Sequence, residues 1–151
     1  MTEPIKSSLQ IAYELSNEDA IHTAFINGDA GTFYPGQEVY ISGDNTVRKR
    51  LGGTTLPVGV CASKTATGEI AVIGLAKSGV LTYAKAIGSA ITAGTPVVPN
   101  GNVVLDAKGN VIAIEYVLAV SGDNYMTIAQ TGAAENGIFK ALNLTNFAVL
   151  A

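Results

Sequence analysis

Pro35-Gly36-Gln37-Glu38-Val39-Tyr40-Ile41-Ser42-Gly43-Asp44-Asn45 is the stretch whose pattern decides the fold class. Val39 and Ile41 alternate with Glu38, Tyr40 and Ser42, the two-residue period of a strand with one buried face. Gly43-Asp44-Asn45 then supplies residues that tolerate a tight turn, so a hairpin is expected. The same grammar recurs outward, with strand candidates at Val47 to Leu51, Val58 to Ser63, Glu69 to Ala76, Val80 to Ala86, Pro96 to Val98, Val103 to Asp106, Val111 to Val120 and Tyr125 to Gln130. Gly52-Gly53, Thr67-Gly68, Ser78-Gly79, Ala93-Gly94, Asn100-Gly101, Lys108-Gly109-Asn110 and Ser121-Gly122-Asp123-Asn124 separate them as turns. Many short strands at close spacing predict an all-β sandwich or barrel. Ala84 to Ala93 is rich enough in Ala for a helical turn or two, but Gly88, Ile91 and Thr92 oppose anything longer.

The ends read differently. Residues 1–31 are expected as an N-terminal arm or edge element, in which Ser8-Leu9-Gln10-Ile11-Ala12-Tyr13-Glu14-Leu15 offers one short alternating strand and Ser16 to Thr23 is polar and irregular. Residues 32–132 are the expected β-domain, and 133–151 the expected C-terminal arm. That last stretch carries too many apolar residues for a solvated tail. They pack either on the chain's own body or on a neighbouring subunit, and Phe139, Leu142, Leu144 and Phe147 are the candidate interface residues.

A gapless self-comparison at an offset of 58 residues aligns Gly36, Val39, Gly43, Ser63, Ile70, Ala71 and Gly74 with Gly94, Val97, Gly101, Ser121, Ile128, Ala129 and Gly132. Two similar β-units, 35–74 and 94–132, are expected to pack as pseudo-symmetric halves sharing one strand order.

Composition narrows the function. With 151 residues, one main core is the expectation. Only 14% of residues are charged and the formal net charge is -3, so no positive field gathers nucleic acid or an anionic membrane. Arg48-Lys49-Arg50 is the only concentrated basic run; it reads as a solvated strand end, or else as a docking point for an acidic protein. No stretch approaches the ~18 apolar residues of a membrane span and the first residues lack a secretory layout, so assembly in a cytoplasm is expected.

Chemistry is sparse. Cys61 is the single cysteine and His22 the single histidine, which removes intrachain disulfides and multi-thiolate zinc sites. Cys61 sits in the strand-like Val58-Gly59-Val60-Cys61-Ala62-Ser63 as a small hydrophobe. Asp44-Asn45 and Asp123-Asn124 read as turn formers, because neither has the length or the bidentate Glu of a calcium loop. Glu69 and Glu115 read as polar strand positions. No phosphate-loop pattern opens a helix. No catalytic residue, cofactor or metal is expected, and the chain is expected not to be an enzyme.

Pro35-Gly36-Gln37-Glu38-Val39-Tyr40, Leu56-Pro57-Val58-Gly59-Val60-Cys61-Ala62, Gly68-Glu69-Ile70-Ala71-Val72-Ile73-Gly74-Leu75-Ala76, Ala90-Ile91-Thr92-Ala93-Gly94-Thr95-Pro96-Val97-Val98 and Val117-Leu118-Ala119-Val120 follow one another in a familiar order. Together they resemble the capsid decoration (cement) proteins of tailed bacteriophages, over about Pro35 to Gly132. The resemblance implies a small barrel- or tulip-like β-domain and a homo-oligomer, with a trimer favoured. It also implies a virion location on the outer capsid surface, with the major capsid protein as partner and no catalytic site. The first 30 and last 19 residues have no counterpart in that pattern. A second reading is a head fibre or surface adhesin module that binds a host glycan or receptor.

Overall fold

The computed structural model describes residues 22–75 and 81–151. The alternating segment Ser8 to Leu15 lies outside the described residues. Among those described there are ten strands: β1 (His22–Asn27), β2 (Glu38–Gly43), β3 (Thr46–Lys49), β4 (Gly59–Cys61), β5 (Ile70–Leu75), β6 (Leu81–Ala86), β7 (Pro96–Leu105), β8 (Val111–Leu118), β9 (Asn124–Ala129) and β10 (Ile138–Val149). They form two closed barrels, β1-β3-β2-β4-β5 and β6-β8-β7-β9-β10. Among the described residues no helix is long and apolar enough to cross a membrane.

The barrels have the same strand order, and in both the first strand runs parallel to the third while every other pairing is antiparallel. The correspondence extends to single hydrogen bonds. Gly36 N–H donates to Cys61 O as Gly94 N–H donates to Ala129 O, and the reciprocal bonds of Phe33 with Thr65 recur between Ile91 and Ala133. Gly36 (φ 95°) and Gly94 (φ 86°) hold the same left-handed corner, and Gly68 (φ 81°) is matched by Asn136 (φ 66°). Such corners favour residues with little steric penalty at positive φ.

The duplication is therefore present, with different bounds and register from those expected. Its units are about 22–75 and 81–149. The 58-residue offset holds from Phe33/Ile91 through Val39/Val97. The β7–β8 hairpin is longer than β2–β3, and past it the offset becomes 68, as in Cys61/Ala129 and Ile70/Ile138. The matches of Ser63, Ile70, Ala71 and Gly74 to Ser121, Ile128, Ala129 and Gly132 set β5 against β9, which are not equivalent strands.

Two expected boundaries are corrected. The body begins no later than His22, since β1 pairs with both β5 and β3. Residues 133–151 are no arm: β10 closes the second barrel between β6 and β9. β10 pairs with β6 over Ile138–Leu142 and with β9 over Ala141–Val149, so closure leaves no sheet edge where the three strands meet. Asn100-Gly101, expected as a turn, lies inside β7 at a register shift against β8.

Each barrel has its own core. Phe33, Val39, Val47, Cys61, Ala71 and Ile73 fill the first. Ala84, Ala86, Ile91, Val97, Val111, Ile114, Tyr116, Ala129, Phe139 and Ala141 fill the second, with Tyr34 of the first unit packed against it.

Candidate interaction surface

The barrels are joined by a buried polar cluster. The Glu38 side chain reaches from β2 to Tyr116 of β8 and Thr127 of β9 in the second barrel. Its Oε1 accepts from Arg50 Nη1 at 2.6 Å, with both side chains fully buried. Its Oε2 accepts from Tyr116 Oη at 2.6 Å and Thr127 Oγ1 at 2.8 Å, and Asn143 Nδ2 donates to Thr127 Oγ1. Arg50 Nη2 donates to Thr55 O and, across the junction, to Asn124 O at 2.7 Å. Gly52 N–H to Pro99 O, Asn124 N–H to Gly53 O and Gln37 Nε2 to Gly101 O complete the seam. A buried charge pair is tolerated when hydrogen bonds satisfy both ions, and here they do. The cluster ties β2 and the segment after β3 to β7, β8 and β9 of the second barrel.

The basic triplet is accordingly split. Arg48 is exposed and donates from Nε to Gly28 O, whereas Arg50 belongs to the seam. Reading Arg50 as solvated fails because Glu38, twelve residues earlier, neutralises it in the interior. Nothing local in the sequence signals this, because Glu38 stands among the polar positions of the alternating β2 pattern.

Two other buried groups carry a pH signature. Burial pushes the Cys61 thiol up from 9.0 to about 11, opposed in part by backbone hydrogen bonding at Ser63. Burial, then the charge of Glu38, holds the Tyr116 hydroxyl well above the ordinary tyrosine range. A thiol kept protonated is a poor nucleophile. Both groups have folded pKa values above their unfolded ones, so their stabilisation is complete below pH 9 and is lost as pH rises toward 11 and beyond. Melting temperature is expected to stay level from pH 7 to 9 and fall above it, with the early part of the fall reduced in Cys61→Ala. A level profile up to pH 11 would contradict this assignment.

The remaining singled-out groups do local work. His22 is exposed at the start of β1. The Asp123 carboxylate accepts the Val120 N–H within its turn. Glu115 accepts from Asn100 Nδ2, and Glu69 sits in the bend before β5. No group of three or more metal-ligating side chains is found among the described residues.

The four candidate interface residues do not act together. Phe139 is 2% exposed and belongs to the second core, so it is withdrawn as a contact residue. Leu142 and Leu144 are half-buried. Phe147 is 44% exposed. It owes this to a bulge: Asn143 opposes Thr127, but Ala148 already opposes Tyr125, so four residues of β10 face Met126 alone. Bulges re-aim side chains, and this one sets Phe147 beside Tyr40, Ile41, Thr55, Leu56, Pro57 and Val58, around a groove of about 520 Å³.

Sequence reading missed a second surface. On the outside of the first barrel, Ala24 lies opposite Val72 and Ile26 opposite Ile70. All four are exposed, Ile70 to 71%. At the equivalent places in the second barrel, Tyr83 lies opposite Lys140 and Lys85 opposite Ile138. One barrel thus presents an apolar face where its twin presents two lysines. The sequence matches no family model and no curated protein.

Proposed function

We propose that this chain is a structural virion protein that binds the outer surface of an assembled phage capsid as an oligomer and bridges neighbouring capsid subunits. The observation that carries the reading is the apolar outer face Ala24, Ile26, Ile70 and Val72. A contiguous exposed apolar patch marks a surface that another protein covers, and the lysines at the same places in the second barrel show that the fold does not require it. The resemblance of Pro35 to Gly132 to capsid decoration proteins names the partner. A rigid clip that binds only the assembled lattice stabilises that lattice by mass action, and several copies gain avidity without a large area per contact.

Ile26→Lys/Val72→Lys copies the residues of the second barrel onto the first. Co-sedimentation with undecorated capsids is expected to weaken about tenfold or more, equivalent to roughly 1.4 kcal/mol or above, with the melting temperature nearly unchanged. Full capsid binding by the variant would remove the face from the interface. Glycan binding by the isolated protein, without capsid binding, would overturn the reading in favour of an adhesin.

A further inference from the structure

The seam joins two different sides, and the internal repeat places a copy of each on the other barrel. From the first barrel, Gln37 and Glu38 reach across together with residues 50–53, which follow β3. Arg50 N–H donates to Glu38 O as Ala119 N–H donates to Pro96 O, so the same side of the second barrel is Thr95 and Pro96 with residues 119–121. Gln37, Glu38 and Arg50 are buried, whereas Thr95, Pro96 and Ala119 are half-buried and Val120 is 63% exposed. The second barrel thus carries the reaching side uncovered.

The side that receives this contact is the edge of β7. Pro99 has no N–H, and its carbonyl accepts from Gly52 N–H at 2.6 Å. Gly101 O accepts from Gln37 Nε2 at 2.9 Å, and Leu51 Cδ2 fills the space beside Gly101. Pro99 opposes Tyr116 as Ile41 opposes Val47, so the matching edge of the first barrel is residues 41–43. That edge is open. Arg50 N–H donates to Glu38 O on the β3 side and Val58 N–H to Val39 O on the β4 side, and backbone groups alternate sides along a strand. The N–H and C=O of Ile41 therefore point to the β4 side. There β4 pairs only with Glu38 and Val39, and among the described residues the Ile41 groups have no partner. Nothing lies within 4 Å of the place a side chain on Gly43 would take, and Tyr40, Leu56 and Phe147 line an uncharged groove beside it.

The two uncovered sides agree in chemistry. Where the seam buries Glu38 and Arg50, the second barrel has Pro96 and Ala119. Where the seam answers with Tyr116 and Thr127, the first barrel has Val47 and Gly59. Ions and their partners are replaced together, so a contact between the uncovered sides buries no charge. Ser121 stands to Ala119 as Gly52 stands to Arg50, and its N–H has no partner among the described residues. We propose that the seam is repeated between chains: Thr95, Pro96 and residues 119–121 of one copy dock head to tail on the open 41–43 edge of the next, with Ser121 N–H donating to Ile41 O as Gly52 N–H donates to Pro99 O. Each copy carries one side of each kind, so the contact is heterologous and continues from copy to copy until a ring closes. The outer face of Ala24, Ile26, Ile70 and Val72 takes no part, and the inference rests on the seam rather than on the capsid reading.

Sedimentation of the full chain, with no capsid present, tests it. The unaltered chain is expected to run as a discrete oligomer. Ile41→Arg blocks the receiving side and Val120→Arg the reaching side, and each variant alone should fall to the mass of one chain while keeping a cooperative melting transition. Mixed in equal amounts, the two variants should form a heterodimer and nothing larger, because one intact pair of sides remains; that recovery also shows both to be folded. Ile26→Lys/Val72→Lys should leave the oligomer intact. A monomeric unaltered chain overturns the proposal, as does an oligomer that survives both arginine variants. A mixture that stays monomeric overturns it too, since it would mean that like sides meet.

Discussion

Arg50→Met is expected to destabilise the protein by roughly 3–5 kcal/mol, because it leaves the Glu38 carboxylate buried without its counter-ion. For a chain of this size that is a fall of roughly 6–20 °C in melting temperature, a large share of the ~5–15 kcal/mol that holds a domain together. The loss has two components. Glu38 keeps Tyr116 and Thr127 as donors but no longer has a cation, and the bridge from Arg50 to Asn124 O that ties the barrels together disappears. Glu38→Gln/Arg50→Met should recover more than half of the loss, since a neutral amide is cheaper to bury than an unpaired charge. Calorimetry of the single and double variants measures this coupling directly. A single-variant loss below about 1 kcal/mol would mean that water reaches Glu38 and that the seam is not closed.

Removing Asn136 to Ala151 is expected to have the larger effect, and on folding itself. The deletion takes away β10, opens the barrel between β6 and β9, and strips Phe139 and Ala141 from the second core. Loss of a buried Phe side chain alone costs about 3–5 kcal/mol, and two exposed strand edges invite aggregation. The truncated chain should lose its cooperative melting transition and become insoluble, whereas Phe147→Ala should shift stability by under about 1 kcal/mol because that side chain is exposed. A soluble truncated chain melting at the original temperature would show that β10 is dispensable to closure.

How far the fold could be read depended on how cleanly each strand separates its faces. In β4, β5, β8 and β9 the apolar residues and flanking turn residues announce the element, and those strands fall close to where the pattern puts them; β2 also falls where expected, but its faces do not follow the alternation, since Glu38 is buried and Ile41 is 55% exposed. In β1 the signal is scrambled: Ala24 and Ile26 face outward, while Asn27 is buried and its Nδ2 donates to Thr65 O and Gly31 O. A buried Asn serving as a clasp looks polar to any periodicity argument. In β10 the four residues bulged opposite Met126 break the alternation midway, so the strand reads as a sticky tail. The candidate surfaces were less legible still, because exposure of Ile26, Ile70 and Val72 depends on which faces the barrel turns outward.

The Pro35 to Asn45 stretch, with its alternation and its turn, determined by itself that the chain is all-β and that its strands are short, because period and turn chemistry are local properties of consecutive residues. The repeat of that grammar in the second half was also present in the residues, though blurred by the longer β7–β8 hairpin. Only the tertiary structure decided that there are two barrels of one strand order, that β10 is a closing strand, and that Glu38 and Arg50 meet in the seam. It also decided that Ile41 has an open edge where Pro99 has a closed one. Each of these is a contact between residues far apart in the chain, set by closure and by the packing of one barrel on the other, and no local pattern encodes it.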